Sequence, residues 1–167
     1  LLSKNKMHIK SKQLNIYERT YRIQREYHFN SVSTSSWHDR VKKLKRLREC
    51  FEKYESEIKN AVYQDFRKSP NEVMLSEIFP VLSEFNNAIK NLKKWMKPKR
   101  VSTPLSLFGT SSKIHYESKG VVLIIGPWNY PVQLFMNPLI GAIAAGNCIF
   151  IKPSELTPHT SGVLKKL

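Results

Sequence analysis

The sequence predicts an α/β chain, in which amphipathic helices over residues 23–100 lead into the first β-α-β crossover of a parallel sheet over residues 120–167. Three observations carry this. Apolar residues between Val41 and Trp95 recur at steps of three and four, the spacing of one helix face. Val121-Val122-Leu123-Ile124-Ile125 and Cys148-Ile149-Phe150-Ile151 are short, continuously apolar runs, the pattern of strands covered on both faces of a parallel sheet. A helix-length segment, Val132–Ala145, separates them, as a parallel crossover requires.

Residues 1–22 are polar and basic with little periodicity, and are expected to form a poorly ordered arm. Leu1 opens the chain and Met7 is the nearby residue that suits a start, so residues 1–6 read as untranslated or the N-terminus as cut short. Ser35 and Ser36 offer hydroxyl caps for a helix beginning near Trp37. Its apolar face runs Val41, Leu44, Leu47, Phe51, Tyr54. A second face, Ile58, Val62, Phe66, is set off by a bend at Glu55/Ser56, and Ser69-Pro70-Asn71 ends the unit. A third pattern runs Met74, Ile78, Val81, Phe85, Ile89, Leu92, Trp95. Pro80 lies inside it and is expected to kink it, because proline lacks the backbone donor and crowds the preceding turn. Lys97-Pro98-Lys99 ends this helix; Val101–Ser112 reads as a loop, and the alternation over Lys113–Glu117 as a half-buried strand.

After the strand Val121–Ile125 and the helix Val132–Ala145, Gly146-Asn147 suits a left-handed helix end. The second strand follows, and Thr157-Pro158 supplies an N-cap and first-turn proline for another helix. Two strands and an unfinished helical layer read as part of a larger sheet.

The chain of 167 residues can bury one ordinary core, and its 41% hydrophobic share excludes a wholly disordered protein. No apolar run approaches the ~20 residues of a membrane span, and no secretory signal is evident, so a soluble, cytoplasmic protein is expected. Cys50 and Cys148 make no disulfide framework, and no Cys or His pair has zinc spacing, so no metal is expected. The net charge is +15, of which +13 lies in residues 1–119, densest in Lys42–Arg48 and Lys90–Arg100. Such a surplus suits an anionic partner. Solvated helix faces are the preferred account of it, and the aromatics do not interleave with the basic residues as in single-strand binders, so no nucleic-acid partner is expected.

Ligands of open parallel sheets sit beyond the carboxyl ends of the strands. Here those ends are Gly126-Pro127-Trp128-Asn129 and Lys152-Pro153-Ser154-Glu155, two turns on one side of a crevice. The dinucleotide fingerprint GxGxxG is absent.

Gly120-Val-Val-Leu-Ile-Ile-Gly-Pro-Trp-Asn-Tyr-Pro131 and Gly141-Ala-Ile-Ala-Ala-Gly-Asn-Cys-Ile-Phe-Ile-Lys-Pro-Ser-Glu155 resemble, in order and spacing, the first strands of the cofactor domain of aldehyde dehydrogenases. Asp65-Phe-Arg-Lys-Ser69, Glu77 and Leu82-Ser-Glu-Phe85 are similar to the N-terminal helices of the fatty-aldehyde (class 3-like) branch, and the resemblance covers about residues 24–167. It implies the N-terminal part of a Rossmann-like NAD(P)-binding domain, with 23–100 its helical part, 101–119 a loop and strand tied to homo-oligomerisation, and 120–167 the first half of the binding unit.

The resemblance also implies roles. Asn129 would donate its carboxamide N–H to the oxyanion formed as a thiolate adds to an aldehyde. A turn asparagine that satisfies only its own backbone is the alternative. Lys152 and Glu155 would meet the ribose of NAD or NADP, with Gly126, Pro127, Trp128 and Ser154 shaping the cofactor turns and Tyr130 the substrate passage. For Trp128 a packing role is equally open. The nucleophilic cysteine and glutamate base of the resemblance lie downstream of this segment. Cys148 opens an apolar strand and Cys50 lies on a helix, so neither is expected to be the nucleophile. The expectation is an aldehyde-to-carboxylate oxidoreductase segment, inactive alone. A truncated gene product and a basic anion-binding module are the competing readings.

Overall fold

The computed structural model describes residues 16–167. Residues 16–27 form helix α1, which runs into a wider-turned stretch, His28–Val32. The disordered arm expected over residues 1–22 is thus corrected for 16–22, which are helical, while 1–15 lie outside the described residues. The apolar residues of α1 do not face the core. Ile16, Tyr17, Tyr21, Ile23 and Tyr27 are all exposed.

Helix α2 (Trp37–Lys53) starts where the serines suggest. The Ser36 hydroxyl accepts the Asp39 N–H, and the Asp39 carboxylate accepts the Ser36 N–H, so two end donors are satisfied reciprocally. The bend falls at Tyr54, and α3 (Glu55–Phe66) ends on Arg67 in the left-handed region (φ 60°). Ser69 caps the short α4 (Pro70–Val73) by accepting the Glu72 N–H. The kink expected at Pro80 takes another form: the helix continues from Pro70 to Trp95, but Met74–Ile78 wind with wider turns just before Pro80, the turn that its ring and missing N–H would disturb, and α5 (Phe79–Trp95) follows. Leu44, Phe51, Ile58, Val62, Val81, Phe85 and Leu92 form the core between these helices, with the Phe51 and Phe85 rings 6.2 Å apart.

The strand expected over Lys113–Glu117 is corrected. β1 (Lys99–Val101) and β2 (Ser112–Ile114) form a small antiparallel ladder that is exposed rather than half-buried, and 115–117 are not strand. β3 (Val121–Ile125) and β4 (Cys148–Lys152) pair in parallel, Val121 opposite Cys148 and Ile125 opposite Lys152. Helix α6 (Gln133–Ala144) makes the crossover and buries Phe135, Met136 and Ile140 against the helical core. Gly146 follows at φ 77°. Coverage of both sheet faces is not seen: Leu123, Ile125 and Ile151 are exposed on these strands.

Helix α7 (Pro158–Leu164) begins at Thr157, but the Thr157 side chain does not cap it. Asp65, at the end of α3, does so instead. Its carboxylate accepts the His159 and Thr160 N–H groups (3.2 and 2.8 Å) and the Thr160 hydroxyl (2.7 Å). Among the described residues no helix is long and apolar enough to cross a membrane. Lys42, Lys43, Lys45 and Arg46 all lie on α2 and are exposed there.

Candidate functional site at the carboxyl ends of β3 and β4

Parallel pairing places the two motif turns side by side. The Gly126 N–H donates to the Lys152 carbonyl at 2.9 Å, extending the ladder by one bond. Gly126 is needed for space. A Cβ there would lie 3.2 Å from Cδ2 and 3.5 Å from Cβ of Phe135, which packs beneath the turn from α6.

The turn 127–130 is exposed, yet its backbone is held from below. The Lys68 ammonium donates to the Asn129 carbonyl (3.1 Å) and to Oε1 of Glu77 (3.1 Å). Oε2 of the fully buried Glu77 accepts the Val132 N–H at 2.8 Å. The same ammonium lies 4.1 Å from the centre of the Tyr130 ring, a cation–π contact. The Trp128 ring packs on Phe66, 6.4 Å away and tilted by 29°. Each residue of the turn from Trp128 to Tyr130 therefore has an anchor in the segment 66–77. Among the described residues no hydrogen bond ties the Asn129 carboxamide, and the residue is exposed on a backbone held through its carbonyl.

In the second turn, Lys152 and Glu155 form an exposed pair at 2.5 Å. The hydrogen bond from Lys152, a backbone N–H and the Lys152 charge hold the Glu155 carboxyl below the usual carboxylate range. Ser154 is used locally: its hydroxyl accepts the Leu156 N–H, and its carbonyl accepts the Ser161 hydroxyl at 2.9 Å. Cys148 begins β4, at the end of the strand opposite Lys152 and about 13 Å from it at the usual rise per residue. Burial pushes its thiol up, against a smaller lowering by Lys43. Cys50 is on α2. Neither cysteine is at the turns.

The residues singled out from sequence thus fall into two adjacent turns. What sequence reasoning did not assign is the Lys68–Glu77 brace. A signal was present: Val73, Glu77 and Val81 stand at steps of four, which puts an acid between two valines of a stripe that is wholly buried.

Residues 7–167 match the aldehyde dehydrogenase family model. The chain belongs to this family. The match reaches nearer the N-terminus than the motifs alone indicated. Among curated relatives, the 4,4'-diaponeurosporen-aldehyde dehydrogenase of Staphylococcus aureus is 46% identical over 154 residues, covering 92% of this chain and 33% of that protein. The chloroplastic aldehyde dehydrogenase family 3 member I1 of Arabidopsis thaliana is 43% identical, over 83% of this chain and 25% of its own. The family 3 likeness agrees with the class 3-like branch that the motifs suggested.

Of solved structures, the substrate-bound state of Staphylococcus aureus AldH superposes with a TM-score of 0.83 at 45% identity, over 89% of this chain and 32% of that one. A betaine aldehyde dehydrogenase point mutant from the same organism, in complex with NAD+, gives 0.77 at 25% identity, over 90% and 30%. These aldehyde dehydrogenases share the fold of this chain, which spans about a third of their length or less.

Proposed function

We propose that this chain is the N-terminal part of an enzyme that oxidises an aldehyde to a carboxylate with a nicotinamide cofactor. In this reading it supplies the oxyanion donor and part of the cofactor-binding edge. The observation that carries the proposal is the juxtaposition of the Asn129 turn and the Lys152–Glu155 turn, joined through the Gly126–Lys152 bond. A carboxamide suits the oxyanion role because it is a neutral hydrogen-bond donor that can be aimed at charge developing on the carbonyl oxygen.

The donor set at β4 fits the ribose part of a dinucleotide. Lys152 and Glu155 are exposed, lie at the carboxyl end of a parallel strand, and offer a cationic donor next to a carboxylate acceptor. Their partner at present is each other, so both can turn to ribose hydroxyls without leaving a buried charge. When bound, the nicotinamide supplies the acceptor for the hydride leaving the aldehyde carbon. Glu155 disfavours a ribose 2′-phosphate and Lys152 favours it, so these residues suit NAD or NADP. The nucleophile comes from outside these residues, since both cysteines lie away from the turns. The exposed β1–β2 ladder and the apolar side chains Leu105 and Phe108 beside it support homo-oligomerisation through this edge in the whole protein.

The test is Asn129→Ala in the whole polypeptide, assayed by NADH formation with a long-chain aldehyde. Removing one oxyanion donor lowers kcat by roughly 10²–10³-fold, with little change in cofactor KM. An unchanged kcat would sink the proposal.

A further inference from the structure

We propose that Lys68 and Glu77 are positioning residues for Asn129, an inference that rests on the oxyanion reading above. The geometry is a relay of three bonds from the buried core to the turn. Glu77 is wholly buried, and a buried carboxylate stays only where its oxygens are matched. One oxygen accepts the Val132 N–H at 2.8 Å, at the start of α6. The other accepts from Lys68 at 3.1 Å. Lys68 directs a second N–H to the Asn129 carbonyl, also at 3.1 Å, and faces the Tyr130 ring at 4.1 Å.

The brace therefore grips the turn on both sides of Pro131, at the carbonyl of residue 129 and the amide of residue 132. Holding a carbonyl fixes the rotation of its peptide plane, and with it the direction in which the Asn129 Cα–Cβ bond leaves the backbone. No hydrogen bond among the described residues holds the carboxamide, so the anchored backbone is what sets where its Cβ starts. Without Lys68 the exposed peptide has no other anchor on that oxygen among the described residues, and the donor would sample orientations away from the oxyanion. Displacements of about 1 Å at a reacting group cost on the order of a hundredfold in rate.

The experiment is a double-mutant cycle in the whole polypeptide, with kcat and cofactor KM measured for Lys68→Met, Asn129→Ala and the double variant. Lys68→Met lowers kcat on the order of tenfold to a hundredfold and moves cofactor KM little. The double variant is no slower than Asn129→Ala alone, because Lys68 acts only through Asn129. Lys68→Arg restores much of the rate. Glu77→Gln, which keeps an acceptor for the Val132 N–H and loses the ion pair, falls between the parent and Lys68→Met. If Lys68→Met does not fold, Glu77→Gln takes its place in the cycle with Asn129→Ala.

Losses that multiply in the double variant overturn the positioning role and make the brace merely structural. So does an unchanged kcat in Lys68→Met. An unchanged kcat in Asn129→Ala is a different failure. It removes the oxyanion reading itself, and the inference with it.

Discussion

Asp65 caps α7 at Thr160 from 95 residues away: its Oδ2 accepts both the Thr160 N–H (2.8 Å) and the Thr160 hydroxyl (2.7 Å). The end of α3 and the start of α7 are thereby one junction, and α7 is fixed next to the turn that carries Glu155. A local cap was available at Thr157, yet its hydroxyl reaches only the Ser154 carbonyl, at 3.4 Å. The stronger acceptor won because a carboxylate near a helix N-terminus meets two unpaired N–H groups and the positive end of the dipole at once.

Asp65→Ala is therefore expected to destabilise the protein by about 1–2 kcal/mol, the usual contribution of a cap. Thr157→Val, which removes only the long bond, should cost under ~1 kcal/mol. Urea unfolding of the two variants checks the order. An Asp65→Ala midpoint equal to the parent's would show that the long-range cap contributes nothing.

Gly146 lies against Arg40 where the N-terminal helices meet the crossover. A Cβ on Gly146 would stand 2.4 Å from the Arg40 Cζ, at a φ of 77° that side chains rarely adopt. Arg40 is buried, donating to the Ala144 carbonyl at 3.1 Å and to the Ser35 hydroxyl at 3.0 Å. It thus satisfies a carbonyl at the end of α6 that the helix leaves unpaired. Gly146→Ala is penalised twice, in left-handed strain and in a displaced buried guanidinium, and should lose about 2–4 kcal/mol. Gly141→Ala, with open space around the added carbon, is the control and should be neutral or slightly stabilising. Equal melting temperatures for the two variants would contradict this account.

The crossover and the site turns were legible because their signals are local. Val121–Ile125 is apolar and β-branched at four of five positions, glycines bracket it, and the rule for parallel sheets then says which end carries ligands. Other features were not legible, for different reasons. Helix α1 carries Ile16, Tyr17, Tyr21, Ile23 and Tyr27 on one side, but its dense basic and acidic residues masked that pattern, and the side is exposed rather than packed on the core. The β1–β2 pair is three residues long on each side and exposed, so backbone pairing alone defines it, and backbone pairing has no side-chain alternation to read. The 61-residue separation of Lys68 and Asn129 hides the brace, since a lysine reads as solvated surface until the fold brings an acceptor to it. The open face of β3 and β4 departs from the continuous apolar runs, which a covered sheet would require.

Glu155 gives the last expectation. Its carboxyl is held down chiefly by the hydrogen bond from Lys152, then by a backbone bond and by the Lys152 charge. A depressed folded-state value means the pair favours the folded form above the ordinary carboxylate range near ~4.3, and that this contribution fades as pH falls through the lowered value. If Glu155 accepts ribose hydroxyls, cofactor KM should stay flat as pH drops toward that range, since the acceptor remains ionised. In Lys152→Met the hydrogen bond and charge of the lysine are gone, and only the backbone bond still holds the carboxyl down. The Glu155 carboxyl then titrates higher, and cofactor KM rises at every pH and begins its acid-side climb earlier than in the parent. Carboxyl titration by NMR and cofactor KM against pH test the two halves separately. If the titration moves while KM does not, the Lys152–Glu155 pair is a surface ion pair with no part in holding the ribose.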